Sequence, residues 1–336
     1  MLTNNLLYSF NKIRLLNILF YPLSLIYLLL IIIRREYYCS LFKKYKLKVP
    51  VFIVGNIVVG GTGKTPFSIW LANFLSLNNF KVAIISGGYK SKNPNLLIDL
   101  SKDDVENNIG YLGDETKLIY KKARKDIIVA QCKDRRKLYN YLVDNHKLDI
   151  VVCDDGLQHY NLPRDVEIIL ESEEMPFGNG LLLPSGPLRE NLKRREEATF
   201  IFTKKKESTS GYLGFTYCNA KIYRLTDNKE VPVSNFINKR VNAITGIAKP
   251  EDFIKSLNDL NINTLNYFYP DHYRFTKRDF IFDNNNSIII TEKDAMRINF
   301  INDNIYYLSL SIKVDDEIEK ALLKKYQDIT ETKYYR

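Results

Sequence analysis

The chain has 336 residues, room for two domains of ~100–200 residues each. Its 45% hydrophobic and 26% charged residues are globular proportions, and its 15 Gly and 11 Pro are too few for a collagen-like or low-complexity chain. Lys and Arg outnumber Asp and Glu by 49 to 39, a net charge of +10, which calls for an acidic partner: nucleic acid, an anionic membrane surface or a phosphorylated small molecule. Four scattered cysteines (Cys39, Cys132, Cys153, Cys218) and three histidines argue against a zinc site. Cys132 and Cys153 follow apolar runs and read as small core residues, and nothing demands an oxidising compartment.

The first element is an uncharged run, Leu15 to Ile33, flanked by Lys12 and Arg14 on one side and Arg34 and Arg35 on the other. Its length just suffices to cross ~30 Å of hydrocarbon as a helix, although Asn17 and Pro22 weaken its first half as a span. Basic residues on both sides give no orientation, and no small-residue cleavage site follows. Three readings compete: a spanning anchor, a helix lying in the bilayer surface, or a core helix.

Next, Val51-Phe52-Ile53-Val54 suits a buried strand, and Pro66 to Leu77 carries a helical pattern in Phe67, Trp70, Leu71, Phe74 and Leu75. Between them lies a glycine loop ending Gly60-Gly61-Thr62-Gly63-Lys64-Thr65. Strand, loop, Gly-Lys-Thr and helix are the parts of a P-loop. Its backbone N–H groups and the helix N-terminus would cradle phosphates, Lys64 would reach the β- and γ-phosphates, and the Thr65 hydroxyl would hold Mg²⁺. The usual pattern has a glycine where this chain has Val58. A third glycine for a dinucleotide fingerprint is absent.

Further on, Gly113-Asp114-Glu115 precedes a helical segment, Thr116 to Lys122; the acids alone could be an N-terminal cap and first-turn charge. The run Ile150-Val151-Val152-Cys153 ends in Asp154-Asp155-Gly156, either a Walker B carboxylate site or a turn. Short apolar runs at Val51–Val54, Val82–Ile85, Ile127–Ala130, Ile150–Cys153, Val166–Leu170 and Phe200–Phe202 alternate with helix-like segments, the mark of βα units on a parallel sheet. A polar stretch from Lys204 to Gly211 breaks the pattern, and alternating aromatics over 212–235 read as a β-ribbon. Strands at Val241–Thr245, Thr264–Phe268, Ile288–Thr291 and Ile305–Leu310, with helices at Pro250–Leu260 and Asp315–Lys325, make a second α/β unit. The expected organisation is an N-terminal helical segment (1–40), a P-loop core lobe (41–210), a ribbon linker (211–238) and a smaller α/β lobe (239–336). His272, after the strand-like Leu265 to Phe268, would alone read as a structural loop residue.

Taken together these segments resemble the tetraacyldisaccharide 4′-kinases of lipid A biosynthesis. The resemblance rests on Val54-Gly55-Asn56, on Gly60 through Pro66, on Gly113-Asp114-Glu115 and on Asp154-Asp155-Gly156-Leu157-Gln158-His159. It continues through Leu183-Pro184-Ser185-Gly186-Pro187-Leu188-Arg189-Glu190, Pro270-Asp271-His272-Tyr273 and Thr291-Glu292-Lys293-Asp294-Ala295. The family's P-loop also lacks its first glycine. The resemblance implies transfer of the γ-phosphoryl of ATP to the 4′-hydroxyl of a tetraacylated disaccharide 1-phosphate in the inner membrane of a Gram-negative bacterium. It implies two α/β lobes joined by a two-stranded linker, with the N-terminal helix peripheral on the cytoplasmic face. It assigns Asp114 as the base, paired with His272, with Lys64 on the phosphates. Mg²⁺ falls to Thr65, Asp154, Asp155 and Glu115, and the substrate side to Arg189, Glu190, Gln158 and His159.

One departure stands out. The family commonly has Ser-Arg-Gly-Tyr where this chain has Ser86-Gly87-Gly88-Tyr89, so Lys90 or Lys92 would have to substitute for the arginine, and a lysine cannot copy its bidentate fork. The alternative function is a membrane-peripheral P-loop ATPase used as a switch. A nucleic-acid binder is disfavoured, because the basic residues are interspersed with acids and the aromatics lie in apolar runs. No protein partner is implied.

Overall fold

The computed structural model describes residues 15–42, 45–102, 108–207, 211–300 and 302–333. Lys12 and Arg14, the basic flank before the apolar run, lie outside the described residues, as does the 208–210 part of the polar break. The chain divides into a larger unit, residues 15–216 and 313–333 of those described, and a smaller one, Tyr217–Ile312.

In the larger unit the first strand, β1 (Val51–Gly55), is fully buried, which is why it is a continuous apolar run rather than an alternating one. It pairs in parallel with β5 (Ile150–Cys153) on one side and β6 (Val166–Ser172) on the other. Beyond β5 come β2 (Val82–Ser86), β4 (Ile128–Gln131) and a short antiparallel β3 (Ile98–Asp99). Beyond β6 come β7 (Phe200–Lys204) and the start of β8 (Gly214–Arg224). The chain order therefore reverses at β1, and in such a sheet ligands bind at the carboxyl ends of the strands where the order reverses. A cluster of Val51, Ile53, Ala83, Ile85, Tyr139, Val151 and other buried apolar residues forms the core on one face, with Cys132 and Cys153 inside it, as their apolar surroundings predict.

Helix α1 (Leu15–Phe42) spans 28 residues and continues through Pro22 at the loss of one backbone bond. It is inverted relative to a core helix. Its inward stripe is polar: Asn17 and Ser24 are buried, the Ser24 hydroxyl donates to Leu182 O (2.9 Å) and accepts from Ser185 N (3.2 Å), and the Tyr27 hydroxyl donates to Arg189 O (3.2 Å). Near its end Arg34 donates to Gln158 O (3.4 Å) and Arg35 to Glu197 Oε1 (2.9 Å). Its outward face is apolar, with Ile18, Leu19, Leu23, Ile26, Leu30 and Ile33 all exposed, Leu19 at 71%. Asn17–Leu41 is long and apolar enough to cross a membrane. The core-helix reading fails because a core helix buries the side that this one exposes.

Three more helices flank the site of interest: α2 (Lys64–Leu77), α3 (Asp114–Lys122) and α4 (Arg135–Asn145).

The smaller unit holds β9 (Glu230–Val231), β10 (Arg240–Thr245), β11 (Asn263–Phe268), β12 (Ile288–Thr291) and most of β13 (Ile305–Val314), with α5 (Pro250–Asn258) and the short α6 (Glu292–Ala295). Strands β10, β11, β12 and β13 are parallel neighbours in the order β11-β10-β12-β13, and β9 pairs antiparallel with the far end of β8 as a short ribbon. The C-terminal helix α7 (Asp316–Lys333) differs from the sequence expectation: it runs past residue 325, and it belongs with the larger unit rather than with the second lobe. Its anchors explain this. The Tyr326 ring packs on Phe80 (centroids 4.5 Å apart), its hydroxyl donates to Asp149 O (3.4 Å), and Asp315 takes Lys205 Nζ (2.8 Å) and Gly214 N (2.8 Å).

Lys205 is buried and Asp315 is its carboxylate partner. Asp315→Ala would strand an ammonium away from water, and urea unfolding is expected to show a loss of about 3–5 kcal/mol.

Candidate active site

The P-loop leaves β1 at Gly55 and enters α2 through Gly63, whose φ of 81° is left-handed and therefore suits glycine. The helix starts at Lys64, two residues before Pro66, because Gly63 makes the turn; Pro66 sits in the first turn, where no intrahelical donor is needed. Lys64 Nζ donates to Asn56 Oδ1 (3.1 Å) and lies 3.7 Å from Asp155 Oδ1. Arg189 Nη1 converges on the same two acceptors, at 3.5 Å and 3.3 Å. Two cations thus share one carboxylate and one amide oxygen at the mouth of the loop.

Asp154 and Asp155 end β5 and differ in environment. Asp154 is 2% exposed and accepts from Thr65 Oγ1 (2.9 Å) and Ser68 Oγ (2.8 Å). Burial and then the adjacent Asp155 charge push its carboxyl up to about 6, against those two bonds. Asp155 is also desolvated, but Lys64, Arg189 and Arg135 outweigh that and hold it below the usual carboxylate range. Its φ is 45°, an uncommon left-handed conformation for a non-glycine residue that turns it away from Asp154. Glu115, in the first turn of α3, lies close enough to act on Asp154 electrostatically. Among the described residues no three His, Cys, Asp or Glu side chains form a metal-binding group. Among the described residues, the buried Thr62 Oγ1 and Asn56 Nδ2 have no hydrogen-bond partner, as expected beside a polar ligand.

Asp114 is the first residue of α3, and Gly113 is its cap. Gln131, at the end of β4, accepts from Gly113 N (2.8 Å) and Thr116 Oγ1 (2.8 Å) and donates to Tyr111 O (3.0 Å), so it pins this helix start to the sheet. The other expected substrate residues separate into two kinds. Arg189 faces the P-loop. Glu190 is only 2% exposed and its carboxylate accepts the Tyr160 hydroxyl (2.5 Å), so in the structure it braces the loop from inside. Gln158 donates to Asn56 O (3.1 Å), again a brace. His159 is kept neutral at physiological pH, its pKa lowered to about 3 by burial and then by Arg135, so it offers no positive charge to a phosphate. Lys90 lies over the Tyr89 ring (5.6 Å).

In the smaller unit His272 has a φ of 61°, its N–H donates to Gly246 O (2.9 Å), and Arg297 Nη2 approaches its Nδ1 (3.3 Å). Arg297 is in turn held by Asp294, which is fully buried and accepts from Arg297 Nη1 (2.8 Å), Thr245 Oγ1 (2.8 Å) and Thr291 Oγ1 (2.6 Å). This explains the Thr291-Glu292-Lys293-Asp294-Ala295 stretch, which has no role readable from sequence. Its aspartate ties β10, β12 and the His272 loop together. Asn56, Ser68, Gln131 and Arg297 also went unassigned by sequence reasoning; only Asn56, inside a motif, carried any signal.

Residues 16–327 match the family described as tetraacyldisaccharide-1-P 4′-kinase. The chain belongs to that family. A tetraacyldisaccharide 4′-kinase of Methylobacillus flagellatus is 36% identical over 308 residues, covering 90% of each chain, and one from Legionella pneumophila is 33% identical over 301 residues, covering 89% of this chain and 90% of that one. The crystal structure of LpxK from Aquifex aeolicus, solved in complex with ATP, superposes with a TM-score of 0.73 at 28% identity, covering 93% of this chain and all of the other. The α/β fold read from the sequence is therefore the fold of this family.

Asp294→Ala would remove the buried carboxylate that holds the Arg297 guanidinium and loosen the His272 loop. Thermal or urea unfolding is expected to register a loss of about 3–5 kcal/mol.

Proposed function

We propose that this protein is an ATP-dependent kinase that transfers the γ-phosphoryl group to the 4′-hydroxyl of a tetraacyldisaccharide 1-phosphate, a step of lipid A biosynthesis. The observation that carries the reading is the joining of P-loop and carboxylates, Lys64 to Asp155 and Thr65 to Asp154, at the carboxyl ends of parallel strands in a chain of this family. Backbone N–H groups of Gly60, Gly61, Thr62 and Gly63 would cradle the phosphates. Lys64, released from Asp155 and Asn56, would move onto the β- and γ-oxygens. Thr65 and Asp154, with Asp155 and Glu115 beside them, would hold Mg²⁺, which neutralises charge on the transferring group. Arg189, now on Asp155, would take a phosphate oxygen in exchange for it.

Asp114 would accept the proton of the sugar hydroxyl, worth about 10²–10⁴-fold. Arg297 donating to Nδ1 of His272 leaves Nε2 as the nitrogen that carries hydrogen, the polarity a partner carboxylate requires. A membrane-peripheral location is supported by α1, and the family reading would put it on the cytoplasmic face. Its polar stripe is engaged by the protein, and its apolar face is turned outward, where a bilayer surface would cover it. The net charge of +10 favours an anionic surface.

The test is labelled ATP with the disaccharide 1-phosphate. Mg²⁺-dependent transfer is expected. ATP hydrolysis that ignores the acceptor, without transfer, would instead mark a switch ATPase. Asp114→Ala and His272→Ala should each lower kcat by about 10²-fold or more, and the double variant should lose little beyond either single, as residues acting as a unit do. Independent, multiplying effects would dismantle the dyad. Replacing Leu19, Leu23 and Leu30 together by Ser should remove binding to anionic vesicles in a sedimentation assay, because each buried leucine contributes about 1.5–3 kcal/mol. Unchanged sedimentation would place the anchor elsewhere.

A further inference from the structure

Gly87 follows the last residue of β2, and the space its missing side chain leaves is filled. A Cβ built there would stand 2.0 Å from Arg135 Nη1, 2.3 Å from Nη2 and 2.4 Å from Cζ. Backbone conformation does not call for glycine at this position. Gly88 has a left-handed φ of 61°, whereas Gly87 is outside that region. It is the guanidinium that needs the room.

Arg135 opens α4 and is 5% exposed. Its Nη1 donates to Cys132 O (3.2 Å) and Lys133 O (3.4 Å), and its buried Nε has no hydrogen-bond partner among the described residues. It makes no direct ion pair there. A buried cation held by two backbone carbonyls and the Cys153 thiol, with no carboxylate on it, is an expensive way to fill a hole, so packing alone does not account for it. Its setting does. Ile85 of β2 stands in register with Cys153 of β5, so the guanidinium beside Gly87 and Cys153 lies at the strand ends from which Asp154 and Asp155 project. Its charge acts on Asp155 after those of Lys64 and Arg189. Lys64 and Arg189 both have phosphate to move to when a nucleotide arrives; Arg135, enclosed, does not.

We propose that Gly87 and Arg135 are a matched pair, in which the absent side chain at 87 seats the guanidinium against the strand ends, where Arg135 acts as a positioning residue for the Asp155 carboxylate. The catalytic half rests on the kinase reading; the pairing does not. Arg135 is the standing cation of the crevice, the one that keeps Asp155 in place while the other two exchange between carboxylate and phosphate. It also answers the missing arginine at 87, because a guanidinium reaches that space from the neighbouring helix.

The experiment is a double-mutant cycle in the full-length protein with Gly87→Ala, Arg135→Ala and both, reading thermal unfolding and the kcat and KM of transfer from ATP. Gly87→Ala should displace the guanidinium and lower kcat by roughly tenfold to a hundredfold, with KM for ATP within about twofold. Arg135→Ala should do the same. The double variant should match Arg135→Ala alone within about twofold, since the added methyl meets nothing once the arginine is gone. Losses that multiply, or a Gly87→Ala enzyme with unchanged kcat, overturn the pair. Should Arg135→Ala fail to fold, Gly87→Ala/Arg135→Lys replaces it: the narrower head should recover turnover severalfold over Gly87→Ala, and no recovery overturns the proposal. Lowered melting temperatures with kcat intact would overturn the positioning role. If the unaltered protein transfers nothing, the kinase reading falls, and the melting-temperature cycle still decides the pairing.

Discussion

Two adjacent carboxylates at the end of a buried strand cannot both stay ionised in the same place, and the site is arranged around that constraint. Asp154 goes inward to two hydroxyls and has its pKa raised. Asp155 turns outward through a left-handed backbone, into a ring of three cations, and has its pKa lowered. The two groups are driven apart in both direction and proton affinity, which is how neighbouring acids come to hold different roles. The partners come from three elements: Lys64, Thr65 and Ser68 from the start of α2, Arg189 from the loop after β6, and Arg135 from α4. The aspartates are thus the knot through which the elements at the sheet's carboxyl edge are held in register.

The same loop carries the link to the apolar helix. Arg189 offers its guanidinium to Asp155 and its carbonyl to Tyr27 of α1, while Gln158 offers its side chain to Asn56 and its carbonyl to Arg34. Residues bracing the P-loop on one side therefore receive α1 on the other. An amphipathic helix normally hides its apolar face in the protein; here the hydrogen bonds of Ser24 and Tyr27 hold the polar face inward, with Asn17 buried on the same side, and the exposed leucines and isoleucines are the consequence.

The smaller unit uses the opposite economy. One fully buried aspartate, Asp294, accepts from threonines on two strands and from Arg297, and Arg297 in turn orients His272. Removing a charge from water is costly, and this one is compensated on every side, so the network resists rearrangement. A histidine at positive φ is held in a single pose by a residue more than twenty positions further along the chain.

Much of this was legible in the amino-acid sequence. Buried parallel strands are short uninterrupted apolar runs, so β1, β2, β5, β6, β10, β12 and β13 could be read directly, and Gly63-Lys64-Thr65 and Asp154-Asp155-Gly156 marked the phosphate and carboxylate ends because glycine, lysine and acid at fixed spacing are what that chemistry requires. Helix α1 was legible in length but not in orientation: hydropathy counts apolar residues, and only docking decided which side faces out. The C-terminal helix went to the other unit because Tyr326 and Asp315 find partners across long stretches of chain, and no local pattern encodes that. The burial of Glu190 against Tyr160 and the neutrality of the His159 ring were not legible, since a residue's type is local but its desolvation is set by what folds over it. Gly87 is the sharpest case. In the sequence it was a missing arginine; in the folded chain it is the space another arginine occupies, because charge at a site depends on where side chains end, and that is a property of the tertiary structure alone.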